Sequence, residues 1–165
     1  MNILLIGMPG CGKSTVGVLL AKVMQYTFTD CDLLIQKRCG MSLQEIINKK
    51  GLKEFLKAEE ETLCEINEDG TVIATGGSAV YSEKAMKHLK DNAVTVYLSL
   101  PLNELENRLT NIKTRGVAME NGTTLKQLYD ERTPLYEKYA DIVIETTGLQ
   151  LEETVESVAR KIRNV

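Results

Sequence analysis

The residues whose types and spacing carry the clearest chemistry lie at the start of the chain, where Gly7-Met8-Pro9-Gly10-Cys11-Gly12-Lys13-Ser14 matches G-x-x-x-x-G-K-[ST]. Glycines at this spacing let the backbone N–H groups of Gly10, Cys11, Gly12 and the residues through Thr15 converge on phosphate oxygens. A helix opening at the lysine adds partial positive charge toward the same oxygens. Lys13 is placed to bridge the β- and γ-phosphates of a nucleoside triphosphate, and the Ser14 hydroxyl to ligate Mg²⁺. The pattern is specific in its context: the apolar run Asn2 to Ile6 precedes it and the amphipathic segment Lys13 to Met24 follows.

A second constellation is Asp30-Cys31-Asp32, just beyond a strand-like run. Ligands of open α/β sheets bind outside the carboxyl ends of the strands, so both carboxylates fall where phosphate chemistry would occur. Asp30 is assigned to the metal side. Asp32 is assigned to an acceptor hydroxyl, which it would orient and deprotonate. The other reading, that the pair caps the following helix, stays open because aspartate is a favoured N-cap residue. Positive charge for a transferring phosphoryl group has candidates in Arg115, within an irregular stretch at about 112–122 that reads as a lid, and in Arg108 and Arg132. The catalytic set is therefore Lys13, Asp32 and Arg115, with Ser14 and Asp30 for the metal.

Other P-loop chemistries lack their parts. Asn48-Lys49-Lys50-Gly51 has no aspartate for reading guanine, and the third and fourth strands run into Thr75-Gly76-Gly77-Ser78 and Leu98-Ser99 without a metal-binding acid. The expected activity is ATP-dependent phosphoryl transfer to a small hydroxylated acceptor. A different hydroxy acid or polyol, or nucleotide binding without acceptor chemistry, are the competing readings.

These groups must be held by a scaffold whose rhythm is short β-branched runs alternating with longer amphipathic segments, that is, an α/β domain. Strands are predicted at Asn2 to Ile6, Tyr26 to Thr29, Thr71 to Thr75, Ala93 to Leu98 and Ile142 to Glu145. Helices are predicted at Lys13 to Met24, Leu33 to Cys39, Leu43 to Lys49, Leu52 to Ile66, Glu83 to Lys90, Leu102 to Asn111, Leu125 to Glu131 and Leu151 to Arg163. Capping boxes are expected at Ser42 with Glu45 and at Thr124 with Gln127. The 165 residues suit one domain, 1–165, in which about 32–66 would form an acceptor-binding insertion.

A formal net charge of −3 argues against a nucleic-acid footprint, and no apolar run approaches the ~20 residues of a bilayer span. A cytoplasmic monomer is expected. Four cysteines without a C-x-x-C pair, and a single histidine, His88, leave no zinc ligand set. Cys11 and Cys31 fall inside the phosphate and acidic segments, where modification would block the site.

Together these elements resemble the shikimate kinases. The likeness lies in the Walker loop Gly7 to Thr15, the Asp-x-Asp of Asp30 and Asp32, Gly40-x-Ser42, Phe55-x-x-x-Glu59, Gly76-Gly77, Arg115, and Arg132-x-Pro134-x-Tyr136 leading to Ala140-Asp141. It implies a three-layer α/β/α P-loop fold with a five-stranded parallel sheet in the order 2-3-1-4-5, and ATP with Mg²⁺. It further implies that Asp32, Glu59, Gly76, Gly77 and Arg132 hold the acceptor: Asp32 its hydroxyls, Gly77 through its backbone amide, and Arg132 its carboxylate. Arg115 would contact phosphates and acceptor, and Arg108 the adenine ring. Departures fall on the acceptor and lid side. The family's Phe-Arg clamp is Phe55-Leu56, its triple glycine is Gly76-Gly77-Ser78, and its lid Arg-Pro-Leu-Leu is Arg115-Gly116-Val117-Ala118. Lys57 stands one helical step, ~100°, from the lost arginine and is not placed to replace it.

Overall fold

In the computed structural model, residues 1–109 and 116–164 are described. Five parallel strands, β1 (Asn2–Ile6), β2 (Thr27–Asp30), β3 (Thr71–Ala74), β4 (Ala93–Ser99) and β5 (Ile142–Glu145), form one sheet in the order β2-β3-β1-β4-β5. This is the predicted order. Ile3 to Ile6 and Val72 are completely buried, because helices cover both faces and leave no polar side to alternate with. Register sets Leu5 beside Ala74 and Ile6 beside Tyr97, so the loops leaving β1, β3 and β4 emerge together at one end.

The helices are α1 (Lys13–Met24), α2 (Cys31–Cys39), α3 (Leu43–Lys50), α4 (Leu52–Cys64), α5 (Glu83–Lys90), α6 (Leu102–Arg108), α7 (Leu125–Tyr139) and α8 (Leu151–Ile162). Both expected capping boxes form, at the starts of α3 and α7. Helices α2, α3 and α4 fill the connection from β2 to β3 and carry their own small apolar cluster of Ile35, Leu43, Ile46, Phe55 and Ala118, with Leu52 and Leu56 packed against it.

Several boundaries differ from expectation for local reasons. Tyr26 is outside β2 because its N–H closes the end of α1 on the Ala21 carbonyl. Helix α4 stops at Cys64, where Glu65 and Ile66 turn back three residues, to Thr62 and Leu63. Helix α6 ends at Arg108, short of the expected Asn111. The largest miss is α7, expected to end at Glu131 before Pro134. Pro134 is inside the helix, which runs on because Leu128, Arg132 and Tyr136 form a buried stripe at four-residue spacing, and tertiary packing outweighs the proline penalty.

Candidate active site

The loop between β1 and α1 wraps the Lys13 ammonium, whose Nζ donates to the carbonyls of Gly7 at 2.7 Å and Met8 at 2.9 Å. Among the described residues no side chain caps α1, and its first turn holds no acid. Its leading amides are thus left for an anion. The Cys11 amide turns back to the Met8 carbonyl, which tightens the loop. Arg108, at the end of α6, reaches the Gly10 carbonyl at 3.4 Å.

The cap reading of Asp30 holds, and its second oxygen meets the phosphate-loop serine. One oxygen, Oδ1, caps α2 by accepting from the amides of Asp32 and Leu33; the other, Oδ2, accepts from the Ser14 hydroxyl at 2.8 Å. Asp32, one step into α2, instead lines a cavity of about 480 Å³ with Lys13, Phe55, Gly76, Gly77, Ser78 and Arg132. Burial pushes the Asp32 carboxyl above its ordinary value; Lys13 pulls it back and Asp30 adds to the rise.

Glu59, on α4, stands behind the cavity wall. Its Oε2 accepts from the buried Ser78 hydroxyl at 2.7 Å, and its Oε1 is buried without a partner among the described residues. A Cβ on Gly76 would lie 2.8 Å from both Glu59 Oε1 and Asp32 Oδ1, which places the two carboxylates on one point. Burial foremost, with Asp32 adding and Ser78 and Arg132 opposing, raises the Glu59 pKa to about 7. A folded carboxyl that binds its proton more tightly than the unfolded one stabilises fully at low pH and loses that contribution as pH rises through about 7. Glu59→Gln should therefore gain stability over the parent as pH rises from about 5 to 8, by up to about 3 kcal/mol, with calorimetric melting across that range as the check.

Arg132 is completely buried on the α7 stripe. Its Nη2 donates to the Ala118 carbonyl at 2.5 Å and its Nε to the Tyr81 hydroxyl at 3.1 Å, and no carboxylate pairs with it among the described residues. Neighbouring Tyr136 donates to the Gly77 carbonyl at 2.6 Å and so fixes that peptide. Lys57 faces away, lining a separate hollow with Lys50 and Glu54. Leu56 packs on the small apolar cluster.

Of the lid, Arg115 lies outside the described residues. Its following limb is docked: Val117 and Ala118 are buried, and the Gly116 amide donates to Gln44 Oε1 at 3.2 Å. Gly116 has φ +70°, which a proline ring fixed near −65° could not adopt. A Cβ there would also stand 2.4 Å from that of Leu43. The glycine in place of the resembled family's proline is thus a requirement of this docking.

The structure brings Lys13, Ser14, Asp30, Asp32, Gly76, Gly77 and Arg132 around one end of the sheet. Tyr136 was in a recognised motif without a role, and Tyr81 had no signal at all, since its partners are 50 residues or more away in sequence.

A family model described as shikimate kinase matches residues 9–163. The shikimate kinase of Thermodesulfovibrio yellowstonii is 40% identical over 163 residues, covering 97% of this chain and 94% of that one. That of Francisella tularensis subsp. novicida is 36% identical over 165 residues, 98% and 92% of the two chains. Among solved structures, the Acinetobacter baumannii shikimate kinase in complex with shikimate matches with a TM-score of 0.91 at 30% identity, covering 99% of this chain and 93% of that chain. The Aquifex aeolicus shikimate kinase matches at 0.85 and 34%, covering 99% and 96%. Sequence and fold agree along the whole length, and the chain belongs to the shikimate kinase family.

Proposed function

We propose that this protein transfers the γ-phosphoryl group of ATP to a hydroxyl of shikimate. The observation that carries the reading is Arg132: a guanidinium taken fully out of water with no carboxylate pairing with it among the described residues, facing the phosphate loop across a cavity that also holds Asp32. An unpaired buried charge is costly, so its natural complement is the carboxylate of a ligand. Lys13 and the first amides of α1 bind the phosphates. Asp32 orients the acceptor hydroxyl in line and takes its proton, and its raised basicity favours that transfer. Arg115 would neutralise the transferring group.

The hard oxygen donors Ser14 Oγ and Asp30 Oδ2, already 2.8 Å apart, suit Mg²⁺, which is usually held by one or two protein oxygens with phosphates and water completing its shell. When bound there it would screen phosphate charge. ADP release in the presence of ATP, Mg²⁺ and millimolar shikimate tests the reading; no turnover above the ATPase background overturns it.

One observation favours a second acceptor class. Leu56 stands where the family's clamp arginine is expected and lies in an apolar cluster, so the carboxylate end has one arginine in place of two. A different hydroxy acid would use Arg132 for its carboxylate without a second arginine, and a polyol would need none there. Under the shikimate reading, Leu56→Arg should lower KM for shikimate by about ten- to a hundredfold, the worth of one charge-assisted hydrogen bond. An unchanged KM in the same assay would show that the lost clamp does not limit binding.

A further inference from the structure

We propose that Tyr81 is a positioning residue for the acceptor's carboxylate, fixing which edge of the Arg132 guanidinium faces the cavity; this rests on the shikimate reading above. Tyr81 closes a short 3₁₀ turn, Ala79–Tyr81, immediately after the Gly76 to Ser78 loop. Its hydroxyl donates to Glu131 Oε1 at 2.6 Å, which leaves its lone pairs to accept from Arg132 Nε at 3.1 Å. The Arg132 Cζ also sits 5.2 Å from the centre of the Tyr81 ring.

A guanidinium offers carboxylates two edges, Nε with Nη2 and Nη1 with Nη2. Tyr81 and the Ala118 carbonyl together occupy the first. What remains is the end-on edge: Nη1 lies 2.8 Å from where a Cβ on Gly77 would stand, at the cavity wall. With Leu56 in place of a second cation on α4, Arg132 is the one arginine of the described residues that lines the cavity to orient the carboxylate. Holding it in place beforehand avoids an ordering cost at binding. Tyr81 thereby takes over part of what a second arginine would do.

Tyr81→Phe keeps the ring over Arg132 and removes only the hydroxyl. The expected result is a rise of about tenfold in KM for shikimate, with kcat and KM for ATP within about twofold of the parent. Shikimate methyl ester, which lacks the carboxylate charge, should show the same KM with parent and variant, whereas a merely structural role would move both acceptors and ATP alike. Glu131→Ala, at an exposed position, is the second variant should Tyr81→Phe fold poorly, and should raise KM for shikimate about threefold with the same indifference to the ester. Equal shifts for acid and ester, or none with either variant, overturn the inference alone. A parent enzyme silent toward shikimate overturns the reading and the inference with it.

Discussion

Asp32→Asn is expected to lower kcat by about 10²- to 10⁴-fold, the usual worth of a positioned general base, with a much smaller change in KM for either substrate. The amide keeps an oxygen that can accept from the acceptor hydroxyl, so orientation is largely retained, but it cannot take the proton. The pH dependence separates base from bystander. A base works only when ionised, and burial has moved the Asp32 carboxyl upward, so the parent's rate should fall with acid at a higher pH than an ordinary aspartate would give. The residual rate of the variant should lack that limb. Steady-state ADP release from pH 5 to 8 reads both effects, and a kcat within tenfold of the parent would mean that the proton leaves by another route.

Arg132→Met is expected to act in opposite directions on binding and folding. KM for shikimate should rise by about 10²- to 10³-fold, because the buried cation is lost from a cavity wall that has no second arginine among the described residues. Stability should hold or increase. The guanidinium is completely buried without an ion-pair partner among the described residues, and relief of such a charge is worth several kcal/mol, against about 1–3 kcal/mol for leaving the Ala118 carbonyl without its donor. Methionine fills similar volume among Tyr136, Phe55 and Ala118, so little cavity is left. A thermal melt beside the kinetics decides the matter; a drop in Tm of more than about 5 °C would make Arg132 a structural post first and a binding group second.

The scaffold was legible wherever local pattern and tertiary role agree. β1 and its glycine loop announce themselves because a buried parallel strand has no polar face, and because phosphate binding needs glycines and a lysine at fixed spacing. The sheet order followed from the family likeness. The path of α7 through Pro134 was not legible, since the sequence around it says stop and only the buried face of Leu128, Arg132 and Tyr136 says continue. Residue type leaves Asp30 open as cap or metal-side group; its Oδ1 caps α2 while its Oδ2 takes the Ser14 hydroxyl, a division that residue type alone does not show. Its motif assigns Glu59 to the acceptor, and the structure shows it holding Ser78 behind the cavity wall, a contact the motif does not spell. Long-range pairs such as Tyr81 with Arg132 leave no trace in spacing.

The double engagement of Asp30 has a consequence for how the two halves of the site communicate. The same carboxylate is tied to the first turn of α1, where the nucleotide's phosphates would rest, and to the first turn of α2, which carries Asp32 at the cavity wall. Anything that tightens one tie stiffens the platform of the other. Donor and acceptor should then each bind more firmly in the presence of the other, by one common factor, since such coupling is reciprocal by thermodynamic necessity. A single two-headed side chain would thus act as the protein's ledger of whether both substrates are present.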